Sequence, residues 1–200
     1  MEYSNVYTAQ PSIPAPVWAL RFASESSNAS EVESGWSRNL EEVQRFSLRS
    51  RTEAARADKP TDAVYCILLV EDNPADVGLV REALDEHSVD CELLLINNGE
   101  RAIRFIADAD TQRTRCPDLV ILDLNLPKKP GRDVLEKIRE SRNWKHVPVA
   151  VVTSSDAPKD KDEAGRLGAS RYVRKPSRLA NFLELGAVFK AMLEGGRNAD

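Results

Sequence analysis

Five short apolar runs, each followed by a stretch of helix-forming residues, constrain this chain more than any other feature. They are Val64–Val70, Cys91–Ile96, Leu119–Leu122, Pro148–Val152 and Ser170–Arg174. The first reads VYCILLV and the third LVIL, with no charged residue to face water on either side. Strands of this kind are buried on both faces, as in a parallel sheet covered by helices.

The intervening segments carry helix signals. Asn73-Pro74 supplies an N-cap and a proline at the first helical position, and Val77, Val80, Ala83 and Leu84 form one apolar side of a helix running to about His87. Asn98-Gly99 turns the chain into a helix over about Glu100–Ala109, and Pro127, Pro130 and Gly131 precede another over Arg132–Arg139. Asp156 and Pro158 open a helix toward Leu167, and Ser177 caps a last one that ends near Gly195-Gly196. The pattern is five βα units. Right-handed crossovers place every strand's carboxyl end along one edge, and chemistry sits outside those ends, near the topological switch point.

The residues immediately after the strands are Glu71-Asp72, Asp123, Thr153 and Arg174-Lys175-Pro176. The topology thus gathers carboxylates, a hydroxyl and an ammonium on one rim. Singly, each has a plain structural role. Glu71 and Asp72 suit the positive end of a helix dipole, Asp123 a turn, Thr153 a strand end, and Lys175 a solvated surface. Together they are harder to explain, because acids at neighbouring strand ends repel unless a cation sits among them. Oxygen ligands without His or Cys point to a hard cation, Mg²⁺ or Mn²⁺.

Composition excludes several classes. Net charge is −4, so nothing favours nucleic acid or an anionic membrane as a partner. No apolar run approaches the ~20 residues needed to span a bilayer, and no basic-then-apolar leader opens the chain. Cys66, Cys91 and Cys116 lack metal-ligand spacing, and a reducing, cytoplasmic location is expected. Neither GxxxxGK[ST] nor GxGxxG occurs, which argues against nucleotide binding. Asp123-Leu124-Asn125 lacks the second acid of a DxD aspartyl phosphatase.

Residues 1–60 read as an N-terminal extension without order, rich in serine and carrying prolines at 11, 14 and 16. A short amphipathic helix over Ser37–Arg49 is conceivable there, with Leu40, Val43, Phe46 and Leu48 as its apolar positions. Trp18 and Trp36 are either docking anchors or incidental. Residues 61–196 form the domain and 197–200 a tail.

The runs ILLVEDNPAD (67–76), LVILDLNLPKKPGRDVL (119–135), VPVAVVTSSD (147–156) and YVRKP (172–176) resemble the receiver domain of two-component response regulators. The likeness is greatest to single-domain regulators associated with phytochrome-type histidine kinases. The spacings agree: 153 − 123 = 30 from Asp123 to Thr153, and 175 − 153 = 22 from Thr153 to Lys175. The resemblance implies a flavodoxin-like, doubly wound five-stranded parallel sheet of order 2-1-3-4-5 with five helices. It implies that Asp123 accepts a phosphoryl group from a sensor histidine kinase or a histidine phosphotransfer protein. Mg²⁺ would be held by Glu71, Asp72, Asp123 and the backbone carbonyl of Asn125. Lys175 and Thr153 would bind the phosphoryl group, and Tyr172 would be the aromatic switch, with small Ser154 leaving room for its rotation. Asn125 and Ser155 would tune dephosphorylation, and Pro176 would follow a cis peptide bond. The face of the fourth helix, fifth strand and fifth helix would carry output or a homodimer, through Ala164–Leu167, Tyr172, Phe182, Leu185, Val188 and Phe189. No dedicated enzymatic output is expected. The alternative is a phosphorylation-independent interaction scaffold.

Overall fold

A computed structural model describes residues 43–48, 64–112 and 115–197. Trp18, Trp36 and most of the serine-rich segment lie outside the described residues.

The elements, in chain order, are β1 (Gln44–Leu48), β2 (Tyr65–Val70), α1 (Pro74–Glu86), β3 (Cys91–Ile96), α2 (Gly99–Gln112), β4 (Leu119–Leu122), α3 (Gly131–Glu140), β5 (Val149–Thr153), α4 (Pro158–Arg166), β6 (Arg171–Arg174), α5 (Leu179–Leu183) and α6 (Leu185–Arg197). The sheet order is β1-β3-β2-β4-β5-β6. Strands β2 to β6 are mutually parallel and carry the expected 2-1-3-4-5 order.

The two-faced burial follows from the period of two along each strand. Leu68, Val70, Val120, Leu122, Val149 and Val151 face one side, where Ile106, Leu135, Ile138 and Trp144 cover them. Ile67, Leu69, Leu119, Ile121, Ala150 and Val152 face the other, under Val77, Val80, Leu84, Phe182 and Phe189. Phe182, Leu185 and Phe189, expected on an output face, are therefore core residues; of the helical apolar positions named there, Val188 is half-buried.

The sixth strand corrects the sequence reading. Residues 44–48, expected to be unordered or helical, run antiparallel to β3, with Gln44 opposite Leu95 and Leu48 opposite Cys91. Phe46 and Leu48 pack on the core while Arg45 and Ser47 stay exposed, an alternation with period two. The Arg81 guanidinium lies 4.4 Å from the Phe46 ring centroid, and Arg45 pairs with Glu92 at 3.7 Å. An isolated helix this short is marginal in water, whereas the open edge of β3 offers a ready ladder.

The last helix also differs. It is broken into α5 and α6, and Arg178, not Ser177, is the N-cap, without a side-chain cap bond. The start of α6 presses on α1: a Cβ at Gly186 would lie 2.0 Å from the Ala83 carbonyl oxygen, so only glycine permits this approach. Asn73 caps α1 as expected, its side chain accepting from the Ala75 N–H.

Candidate phosphorylation site

Strand β2 leads to β3 on one side and β4 leads to β5 on the other. The crevice between these diverging connections is the switch point where such sheets bind ligands. Parallel registration aligns the strand ends there: the Asp123 N–H donates to Val70 O at 3.0 Å, and the Glu71 N–H to Ile96 O at 3.0 Å. The Lys175 N–H donates to Thr153 O at 2.7 Å and brings the last strand into line. Gly131 lets the start of α3 fold back under Asp123; a Cβ there would stand 2.1 Å from the Asp123 carbonyl oxygen.

The expected acids converge. Glu71, Asp72 and Asp123 each present an oxygen within 4.8 Å of the others. Glu71 and Asp123 are buried, at 4% and 5% exposure, while Asp72 is exposed. This donor set is all carboxylate, partly dehydrated and open on one side, which fits a hard divalent cation.

Lys175 crosses from β6 to hold the acids together. Its Nζ donates to Asp123 Oδ2 at 2.7 Å, Glu71 Oε2 at 2.7 Å and Asp76 Oδ2 at 2.8 Å. Burial alone would lower the ammonium's pKa, but hydrogen bonds to Asp123, Asp76 and Glu71 outweigh it and raise the group above the ordinary lysine value. Glu71 moves up from the ordinary carboxylate value, because burial outweighs its bonds to Lys175 and to the Asn73 N–H.

Asp76 was not legible as a member of the site. In sequence it is an acid in the first turn of α1, three residues past the cap, where helices often carry one. Only the fold shows it facing Lys175.

The remaining residues gather above Asp123. The Asn125 N–H donates to Asp123 Oδ1 at 3.0 Å, and its side-chain amide to Ser154 Oγ at 3.1 Å and Thr153 Oγ1 at 3.4 Å. Thr153 is fully buried. Ser155 Oγ donates to Asp160 Oδ2 in a short bond, and the Ser155 N–H donates to Thr153 Oγ1. Tyr172 is half-buried, and its hydroxyl donates to the Ser155 carbonyl at 3.0 Å. Burial raises the Tyr172 phenol above its ordinary pKa. One expectation fails: the Lys175–Pro176 peptide is trans, since no cis peptide bond occurs among the described residues. Trans is the intrinsically favoured isomer, and with it Lys175 already makes both its backbone and its ammonium contacts.

Residues 67–185 match the response regulator receiver domain. This chain belongs to that family. The receiver is 37% identical over 120 residues to the response regulator Rcp1 of Synechocystis sp., covering 60% of this chain and 82% of that one. Its fold is similar to the phosphorylated cyanobacterial phytochrome response regulator RcpA, with a TM-score of 0.57 and 32% identity over 66% of this chain and 94% of that one. It is likewise similar to the Mn²⁺-bound form of Rcp1, with a TM-score of 0.58 and 34% identity over 64% of this chain and 92% of that one. No helix among the described residues is long and apolar enough to cross a membrane.

Proposed function

We propose that this response regulator takes a phosphoryl group on Asp123 from a histidine kinase, in the presence of Mg²⁺ or Mn²⁺. A phytochrome-type kinase is the proposed donor, by likeness to the regulators named above. The observation that supports it most is the half-buried Lys175 ammonium held against the buried Asp123 Oδ2 and Glu71 Oε2. Burying such a network is costly, and a purely structural sheet has no need of it.

Phosphoryl transfer needs positioning and neutralisation of charge more than covalent help. An oxygen of Asp123 attacks the phosphorus of a phosphohistidine, forming a P–O bond as the P–N bond breaks. The bonding pair leaves with the imidazole nitrogen. Lys175 exchanges its bond to Asp123 for one to a phosphoryl oxygen, keeping positive charge where the equatorial oxygens carry negative charge. Glu71, Asp72, Asp123 and the Asn125 carbonyl would hold the divalent cation, which when bound neutralises phosphoryl charge.

The switch would act through Thr153. Phosphorylation adds roughly −1.5 to −2 charges and new acceptor oxygens, which favour a shift of the Thr153 hydroxyl toward them. Thr153 Oγ1 receives the N–H of Ser155, whose carbonyl accepts from Tyr172. A shift of Thr153 therefore reaches Tyr172 through one residue. Homodimerisation through α4, β6 and α6 is proposed as one output of that switch, with a partner protein as the other.

The test is incubation with phosphoramidate and Mg²⁺, with intact mass as the readout. One base-labile adduct of a single phosphoryl group is expected, absent in Asp123→Asn. An adduct that persists in the variant refutes Asp123 as acceptor.

A further inference from the structure

We infer that Asp76 is a positioning residue for Lys175, the one fixed anchor of its ammonium while the other two acceptors change partners. This rests on Asp123 being the phosphoacceptor. An ammonium has three N–H donors, and Lys175 commits one each to Glu71, Asp76 and Asp123. Glu71 and Asp123 belong to the carboxylate set suited to a cation; Asp76 does not. When a cation draws charge from Glu71 and Asp123, and Asp123 then becomes an acyl phosphate, Asp76 is the acceptor whose chemistry stays the same.

Asp76 is itself held in place. It sits in the first turn of α1, and its Oδ2 also accepts from the Asn73 side-chain amide at 3.1 Å. Asn73 is the helix cap, so the anchor is tied to the backbone rather than to a mobile stem. Lys175 carries its charge on four flexible methylenes. Without Asp76, the ammonium would follow Glu71 and Asp123 alone. It would then compete with the cation for both and be less well placed for the phosphoryl oxygens.

The experiment compares wild type, Asp76→Ala, Asp76→Asn, Lys175→Met and Asp76→Ala/Lys175→Met, each as the full chain. Phosphoramidate is the donor: Asp123 forms the P–O bond, the P–N pair leaves on nitrogen, and a proton from water releases ammonia. At saturating Mg²⁺, Asp76→Ala is expected to be phosphorylated about tenfold more slowly than wild type, the loss of one charge-assisted hydrogen bond in the transition state. Asp76→Asn, which keeps an acceptor oxygen without the charge, should fall between them. Calorimetric Mg²⁺ binding without any donor should weaken about threefold or more in Asp76→Ala. In the Lys175→Met background, Asp76→Ala should slow the reaction no further. A saturating rate for Asp76→Ala within about twofold of wild type, or an equal slowing in the Lys175→Met background, overturns the inference while leaving Asp123 as acceptor. An adduct that survives Asp123→Asn refutes the acceptor assignment, and the inference falls with it.

Discussion

Replacing Lys175 with methionine isolates the electrostatic problem at the heart of the rim. The substitution keeps the length of the stem and removes the charge. Glu71 and Asp123 are then left buried, at 4% and 6% side-chain exposure, without their ammonium. Removing one partner of a buried charge pair costs about 3–5 kcal/mol. The lower end applies here, because Asp76 is 20% exposed and recovers solvent readily. Glu71, whose pKa burial already raises, can also take up a proton. We expect the metal-free variant to lose about 3 kcal/mol, or roughly 10 °C in melting temperature for a domain of this size.

The pH dependence fixes the sign. Lys175 is raised above the ordinary lysine value, so its stabilisation of the wild type is fully present below about pH 10 and is lost as pH rises from there through the folded value. Glu71 is also raised, and for an acid this means the ionised form is penalised. Falling pH relieves that penalty, so the deficit of the variant should narrow as pH drops toward about 5. Mg²⁺ should relieve it too, because it no longer competes with an ammonium for the same oxygens. At a hundred times the dissociation constant, binding adds about 2.7 kcal/mol, nearly offsetting the loss. Urea unfolding at neutral pH and near pH 5, with and without Mg²⁺, measures all of this. A loss below about 1 kcal/mol, or Mg²⁺ stabilising the variant no more than wild type, would mean that Lys175 does not neutralise the buried acids.

Three further outcomes are expected. Asn125→Ala should retain its phosphoryl group longer than wild type, because an amide that bonds Ser154 and Thr153 above Asp123 can also orient the hydrolytic water; equal decay rates of the adduct would sink this. Gly131→Ala should destabilise by about 2–4 kcal/mol in urea unfolding, since its Cβ would meet the Asp123 carbonyl at 2.1 Å and push the acceptor strand end out of place. Phe46→Ala should cost about 1–2 kcal/mol and speed amide exchange along β3; exchange unchanged from wild type would mean that β1 does not protect that edge.

The parallel sheet, its strand boundaries within a residue or two, and the rim residues Glu71, Asp72, Asp123, Thr153 and Lys175 can all be read from the amino-acid order. These were legible because they depend on local patterns: apolar runs long enough for a strand, helix caps, and the residue that ends each run. What lay beyond reach depends on contacts between distant parts of the chain. Strand β1 exists because β3 has an open edge, and period alone could not tell its five residues from a turn or two of helix. The break before α6 follows from how closely that helix meets α1 at Gly186. Asp76 joined the site for the same reason. Its partner Lys175 lies 99 residues away, and only the closing of the sheet carries the ammonium to it. Local chemistry names the acids at the rim; tertiary packing decides which of them share a charge.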